Sequence, residues 1–225
     1  MERTIFESEH DLFRESFKQF VEKEIVPNNN DWEDNGIVDR SLFEIAGANG
    51  FLGIDIPQDF GGGGIEDYRF NQIMQEEFDM AGVAAAASGI GLHNDICIPY
   101  FLEFCSQEQR ERWLPGLASG EYITAIAMSE PGTGSDLASI SSTAIKDGES
   151  FILNGAKTFI SNGIISDLII VAAKTNPEAG HRGISLLVLE RGMDGFERGR
   201  NLDKVGRHSQ DTAELFFTDV RVPSE

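Results

Sequence analysis

Apolar residues recur at helical spacing in the first part of the chain. Phe13, Phe17, Phe20, Val21 and Ile25 recur at this spacing, which predicts a helix over about residues 8–24 with one apolar side. The same spacing predicts four further helical stretches, which begin after Asp39 or Ser41, at Asp67, near Asn94 and at Ser106. The last has a Ser-x-x-Gln capping pattern, Ser106 with Gln109. This part of the chain is therefore predicted to be a helical domain.

The pattern changes after Gly120, where short runs rich in β-branched and apolar residues alternate with turn-forming segments. These runs predict strands at residues 123–128, 151–153, 158–161, 168–173, 184–189 and 213–217. Asn154-Gly155 and Asn162-Gly163 are typical of the turns between them. We predict an α+β chain, with an N-terminal all-α domain over residues 1–122 followed by a small all-β barrel or sandwich domain over residues 123–225.

Charge excludes two classes of partner. The chain has 18 Lys and Arg against 38 Asp and Glu, a net charge of −20. Nucleic acid and anionic membrane surfaces would repel it. The weakly polar run over residues 81–92 is too short to span a bilayer, and the N-terminus lacks a signal-peptide pattern. Cys97 and Cys105 cannot form a disulfide framework, so we predict a cytoplasmic protein.

The sequence lacks several common ligand-binding signatures. Gly155-Ala156-Lys157-Thr158 lacks the spacing of a nucleotide-binding P-loop. Gly132-Thr133-Gly134-Ser135-Asp136-Leu137 has leucine in place of the last glycine of a dinucleotide fingerprint. His93 and Cys97 lie four residues apart, but no second pair completes a metal site. We therefore predict no metal.

The segment from Ala127 to Asp136 is more informative. A strand leads into a turn with Pro131, two glycines and several hydroxyl residues. Glycines permit close approach of a ligand to the backbone, and successive amides in such a turn form an anion-binding nest. An ordinary tight turn and a phosphate or cofactor contact both agree with the pattern.

Residues 127–139 resemble the signature of the acyl-CoA dehydrogenase family, in which a small and an apolar residue precede Ser-Glu-Pro-Gly-x-Gly-Ser-Asp. Three further stretches resemble the family's middle domain: residues 154–163, 183–190 and 211–223. The resemblance covers the whole chain and is closest to the long-chain type. It implies a helical domain and a β domain, with the family's C-terminal helical domain absent.

The resemblance also implies a bound FAD and the residues that contact it. These cofactor-binding residues are Ile126, Met128, Ser129, Gly134, Ser135, Phe159, Ile160 and Ser161. In the family, the segment corresponding to 126–129 lines the flavin, and Gly134 and Ser135 meet the pyrophosphate. Ser135 also lies near the CoA substrate. Phe159 flanks the flavin ring, and the Ser161 hydroxyl bonds flavin N5.

The implied reaction is α,β-dehydrogenation of an acyl-CoA to the trans-2-enoyl-CoA, with hydride transfer to flavin N5, as in fatty acid β-oxidation. A desolvated Glu removes the α proton. The resemblance puts that base beyond Glu225, so no catalytic residue is expected in this chain, and Glu130 is expected to be structural. We therefore expect a fragment that is inactive alone. A homotetramer that passes electrons to an electron-transfer flavoprotein is implied for the whole enzyme.

Other functions stay open. One is a flavin oxidase or monooxygenase of the same fold, and another is a non-catalytic short form that binds acyl-CoA or a partner. A basic cluster is a candidate for contacts with CoA phosphates or an acidic partner, or is simply a solvated loop face. It consists of Arg191, Arg198, Arg200, Lys204 and Arg207.

Overall fold

The computed structural model describes residues 4–224. The chain divides into two compact units. The first comprises the chain up to Tyr122 together with Lys204–Gln210, and the second comprises Ile123–Asp203 and the chain from Asp211 onward. Within the described residues, helices with the length and apolar character of a membrane span are not found.

The first unit is helical. Its α-helices are α1 (Ser8–Phe20), α2 (Asn29–Asn35), α3 (Ser41–Ala48), α4 (Arg69–Met80), α5 (Ala84–Gly91), α6 (Ile98–Phe104) and α7 (Gln107–Ser119). Two π-helical stretches, Val21–Ile25 and Leu92–Cys97, continue α1 and connect α5 to α6. The capping box at the start of α7 is present, with Ser106 and Gln109 each bonding the other's backbone amide. Helix α2 was not predicted, because its sequence is polar and only Trp32 is buried.

An aromatic cluster forms the centre of the helical unit. Phe17 packs edge-on against Phe51 and Phe78, with ring centroids 4.8 and 5.0 Å away. Such pairs add stability beyond the burial of apolar area. At the end of α7, Gly120 has φ +80°, and a Cβ there would lie 2.2 Å from the carbonyl oxygen of Phe43. Glycine is therefore required at this junction.

The second unit is built on one seven-stranded sheet. Its strands are β1 (Thr124–Ala127), β2 (Thr143–Asp147), β3 (Ser150–Ser161), β4 (Leu168–Lys174), β5 (Ile184–Glu190), β6 (Phe196–Asn201) and β7 (Thr212–Pro223). Their order is β1-β4-β2-β3-β7-β6, and β5 pairs with β4. The β1–β4 and β2–β4 pairs are parallel, and the others are antiparallel. The predicted α+β class is confirmed. The β unit was predicted as a barrel or a sandwich, and its sheet forms a curled half-barrel.

Strand β3 differs most from the prediction. Two separate strands were predicted here, but β3 is continuous over 12 residues and contains two irregularities in its pairing with β7, between Leu153 and Gly155 and between Lys157 and Ile160. The turn-like Asn154-Gly155 is a bulge, not a chain reversal. Strands β2 and β6 were not predicted, because most of their side chains are polar.

Candidate functional site

Two motif segments that lie far apart in the sequence meet in the β unit. The Thr158 amide donates to the Ser129 carbonyl at 3.0 Å. Asn162 Nδ2 donates to the carbonyl of Thr124, which lies 38 residues earlier in the sequence, at 3.0 Å. These two bonds align β1 and its continuation antiparallel to the end of β3. The signature segment and the segment around Phe159 are therefore neighbours.

The residues of these two segments divide between two faces. Ala125, Ala127 and Ile160 are buried in the core of the β unit. Because side chains alternate along a strand, Ile126, Met128 and Ser161 lie on the opposite face. All three are partly exposed. Ser129 follows the end of β1 and is also partly exposed, and Phe159 is exposed. We call the surface formed by Ile126, Met128, Ser129, Phe159 and Ser161 the candidate surface. Ile160 can contribute only main-chain atoms to it.

Phe159 has the most unusual environment on the candidate surface. Its side chain is 71% exposed. Its backbone has φ +60° and lies at the second irregularity of β3. A left-handed φ costs a residue with a Cβ about 1–2 kcal/mol, and a large exposed aromatic side chain gains nothing from the solvent. Strain of this kind, held in place by the surrounding sheet, is characteristic of ligand-contacting positions.

The loop after Ser129 has an open glycine-rich part. Glu130 and Thr133 bond each other's backbone, N to O at 2.8 Å and 3.0 Å, which closes a tight turn. Gly134 and Ser135 follow it and are exposed. Among residues 4–224, the amides of Gly134 and Ser135 have no acceptor. A Cβ added to Gly134 would meet nothing within 4 Å. This arrangement can accept an anion from solvent at the backbone.

A buried ion pair lies directly beneath this turn. Glu130 Oε1 is 2.9 Å from Lys157 Nζ, and their side chains are 2% and 0% exposed. Ser141 and the Ser142 amide also donate to the Glu130 carboxylate. Burial alone would raise the pKa of Glu130, but the hydrogen bonds from Ser141, Ser142 and Lys157 lower it to about 2. So weak a base, already fully engaged, is a structural carboxylate and not a proton acceptor.

Two members of the basic cluster bind backbone carbonyls of the β unit. Arg191 Nη2 donates to the carbonyls of Ile164, Ile165 and Ser166 at 2.7–2.9 Å. Arg198 donates to the carbonyls of Gly163 and Ser166, each at 2.9 Å. These two guanidinium groups fix the loop after β3. That the cluster contacts CoA phosphates or an acidic partner stays a prediction.

Asp211 fixes the same loop from the other side and was missed by sequence reasoning. Its Oδ2 accepts from the amides of Ile164 and Ile165 at 2.7 and 3.3 Å, and its carbonyl accepts from the Asn162 amide at 3.2 Å. Asn162 has φ +58° and is 1% exposed. The available sequence signal was the polar residues Asn162 and Asp211 beside apolar strands. Buried polar groups need hydrogen-bond partners, so such residues indicate a bonded loop.

His93 is a core histidine. It is fully buried, and Nε2 lies 3.0 Å from the Leu117 carbonyl, which can only accept. Nε2 therefore carries the proton. Burial lowers the pKa of His93 to about 4, so the ring is neutral. Its environment is that of a packed helix, as expected from the isolated His93 and Cys97 pair.

Comparison with known proteins agrees with the motifs. Residues 7–121 match the model of the acyl-CoA dehydrogenase N-terminal domain, and residues 125–220 match that of the acyl-CoA dehydrogenase middle domain. The long-chain specific acyl-CoA dehydrogenase, mitochondrial, of Sus scrofa is 47% identical over 224 residues, which are 99% of this chain and 51% of that protein.

Two solved structures are similar over nearly the whole chain. The crystal structure of acyl-CoA dehydrogenase from Geobacillus kaustophilus has a TM-score of 0.95 and 52% identity, and covers 99% of this chain and 58% of that one. A glutaryl-CoA dehydrogenase from Mycobacterium smegmatis in complex with FADH2 has a TM-score of 0.89 and 26% identity, and covers 97% and 55%. The chain spans about half the length of the curated relatives that it matches.

Proposed function

Because the chain belongs to the acyl-CoA dehydrogenase family, we propose that its β unit binds FAD and serves the oxidation of acyl-CoA thioesters to trans-2-enoyl-CoA. The observation that carries this proposal is the junction of the signature segment with the Phe159 segment through the Ser129–Thr158 hydrogen bond. That junction forms one surface with an exposed aromatic ring, main-chain groups and two hydroxyls. The donor set fits a flavin, whose ring is flat and apolar with polar edges.

Each residue of the candidate surface has a proposed role. FAD, when bound, would supply a hydride acceptor at N5 for the β hydrogen of the substrate. Ser161 donates a hydrogen bond to that edge, and Phe159 flanks the ring by offset stacking. Ile126, Met128 and Ser129 contribute main-chain contacts, with the Ser129 hydroxyl as an additional donor. Ile160 contributes through its backbone alone, because its side chain lies in the core.

The open loop is proposed to bind the phosphate part of the cofactor. The amides of Gly134 and Ser135 and the Ser135 hydroxyl are donors of the kind that oxyanions accept. Ser135 is also proposed to lie beside the CoA substrate. In a chain with net charge −20, such neutral donors allow an anion to bind without a strong basic patch.

The base that removes the α proton is proposed to be a glutamate outside residues 1–225. The carboxylate of the signature turn, Glu130, is excluded by its ion pair with Lys157 and by its lowered pKa. The chain thus contributes cofactor binding and orientation to the reaction, and we propose that residues 1–225 alone do not turn over substrate.

The finer assignments rest on similarity. The Sus scrofa protein is named as long-chain specific and mitochondrial, which supports long-chain acyl-CoA as substrate and a role in fatty acid β-oxidation. A homotetramer, an electron-transfer flavoprotein as acceptor and a cytoplasmic location stay predictions. The domain boundary at residue 122 likewise stays a proposal.

The test uses protein purified from the intact gene. We expect a yellow protein with a flavin spectrum that bleaches anaerobically when a long-chain acyl-CoA is added, with one enoyl-CoA formed per flavin. Peroxide production in air as fast as turnover with an artificial electron acceptor would favour the oxidase. Acyl-CoA binding without flavin would favour the non-catalytic short form. Neither flavin nor acyl-CoA binding would refute the proposed function.

A further inference from the structure

A buried cation holds the carbonyl of one peptide group on the candidate surface. Lys157 Nζ donates to the Met128 carbonyl at 2.9 Å, and to Glu130 Oε1 at the same distance. The Lys157 side chain is 0% exposed. In such surroundings a charge is poorly screened, so its effect on a bonded dipole is larger than in water. Such a bond is expected to polarise the Met128–Ser129 peptide.

The N–H of this peptide group, which belongs to Ser129, is available to a ligand. Among residues 4–224, the Ser129 amide has no hydrogen-bond acceptor. All the described peptide bonds are trans, so the Ser129 N–H points opposite to the Met128 C=O. Because that carbonyl points toward the buried Lys157, the N–H points away from the ion pair. Ser129 itself is partly exposed.

We propose that Lys157 is a positioning residue for the flavin, whose ammonium polarises the Met128–Ser129 peptide and makes the Ser129 amide a strengthened donor to the ring. This inference rests on the proposed function and deepens it, because it names a residue behind the candidate surface that tunes the cofactor. Charge-assisted hydrogen bonds are about twice as strong as neutral ones. Polarisation then passes along the chain of bonded dipoles.

Glu130 has a separate part in this arrangement. Burial lowers the pKa of Lys157, and the Glu130 carboxylate opposes this effect. Glu130 thus favours the charged form of the amine at the position where its charge acts. The pair is oriented, with its positive end on the Met128 carbonyl and its negative end on Ser141 and Ser142.

If the Lys157–Glu130 pair only holds the two segments together, a different effect on FAD affinity is expected. If Lys157 only tied the two segments together, its loss would weaken binding of oxidised and reduced FAD equally. Reduction by two electrons increases the negative charge of the flavin ring, so a polarised donor favours the reduced form. The ratio of the two affinities therefore separates the two roles.

The first experiment uses the unaltered protein and amide hydrogen exchange. We expect the Ser129 amide to exchange readily without FAD and to be protected at least about tenfold when FAD is bound. Protection before FAD is added, or no gain afterwards, would overturn the inference. If FAD does not bind at all, the proposed function fails together with it, whereas FAD binding without Ser129 protection removes this inference alone.

The second experiment compares the affinity for reduced FAD with that for oxidised FAD. The double variant Lys157→Met/Glu130→Gln removes both charges, and we expect the ratio to fall about threefold to tenfold. Ser141→Ala removes the hydroxyl bond to Glu130 without changing a charge and should keep the ratio. An unchanged ratio in the double variant, or an equal fall in both proteins, would overturn the inference. If the double variant does not fold, the exchange experiment decides alone.

Discussion

Ser141 donates both its amide and its hydroxyl to one oxygen of Glu130, each at 2.6 Å. The other oxygen is bound by Lys157 and by the Ser142 amide. A carboxylate with this many donors is strongly favoured in its ionised form. The signature turn is thus joined to two other parts of the β unit through one buried charge, and its stability must depend on pH.

Acidification is expected to destabilise the protein through Glu130. Its pKa is about 2 in the folded state against 4.5 ordinarily, so its stabilising effect is complete above pH 4.5 and is lost as the pH falls toward 2. A shift of this size corresponds to about 3 kcal/mol. Glu130→Gln should therefore be destabilised at pH 6, and its deficit relative to the unaltered protein should shrink toward pH 2. Urea unfolding followed by circular dichroism measures this difference.

Glu149→Gln is the matched control, because Glu149 is an exposed glutamate in the turn between β2 and β3. It should follow the unaltered protein at every pH. A deficit of Glu130→Gln that stays constant from pH 6 to 2 would contradict the assignment of a strongly bonded carboxylate.

Gly134→Ala should separate binding from folding. The added methyl group would meet no atom within 4 Å, and Gly134 does not adopt a left-handed φ. The free energy of unfolding should change by less than about 0.5 kcal/mol. If a phosphate approaches this backbone, FAD affinity should fall about tenfold or more. Isothermal titration with FAD measures the effect.

Gly206→Ala, at another open glycine, is the matched control and should leave the FAD affinity unchanged. Equal affinities for the two variants and the unaltered protein would remove Gly134 from the site.

Phe159→Ala should weaken FAD binding through loss of ring stacking. Offset aromatic stacking contributes about 0.5–1.5 kcal/mol, which corresponds to a loss of affinity of about twofold to tenfold. Phe104→Ala removes a ring that is 69% exposed in the helical unit and is the matched control for Phe159, which is 71% exposed. Flavin fluorescence titration compares the two. A loss shared by both variants would indicate general destabilisation, and no loss in either would remove Phe159 from the surface.

Backbone strain at Phe159 gives a prediction that does not depend on a ligand. At φ +60° glycine is favoured over alanine by about 1 kcal/mol. Phe159→Gly should therefore be more stable to urea than Phe159→Ala by about that amount, although glycine is normally the worse residue in a strand. The reverse order would show that this backbone is not strained.

Much of the fold could be predicted because its signals are local. Apolar spacing in α1 and the capping pattern of α7 depend on residues within a few turns of one another. Strands β2 and β6 have no comparable signal, since their pairing with β3 and β7 is long-range and their side chains are mostly polar. The bulge at Phe159 was hidden for the same reason, because a bulge is a relationship between two strands.

The candidate site shows the same limit. The motifs predict the flavin-lining positions, but the spacing around Lys157 only excludes a phosphate-binding lysine and says nothing of its partner. Its partner, Glu130, lies 27 residues away in the sequence. A pair so far apart in the sequence has no local pattern, so it becomes visible only in the folded structure.

Glu33 anchors a distant segment of the chain, and this contact also has no local signal. Its carboxylate accepts hydrogen bonds from the Ser209 hydroxyl and from the amides of His208 and Ser209, at 3.2 and 3.1 Å for the amides. These bonds lower the pKa of Glu33 although partial burial opposes them. They connect part of the segment 204–210 to the helical unit, to which that segment belongs.

Glu33→Ala should release this segment. Two bonded amides and a hydroxyl would lose their acceptor, at a cost of about 1–3 kcal/mol to the local structure. Local opening then becomes more frequent, so trypsin should cleave after Lys204 and Arg207 several-fold faster. Asp34→Ala changes the adjacent, exposed carboxylate of the same helix and should leave the cleavage rate unchanged. Because proteolysis reports the opening of one segment, faster cleavage at these two sites with no change elsewhere would identify Glu33 as a local anchor. Uniformly faster cleavage would instead mean that Glu33 stabilises the whole helical unit, and unchanged cleavage would mean that the segment is held by its other contacts, such as the bond from Arg207 to Ser88.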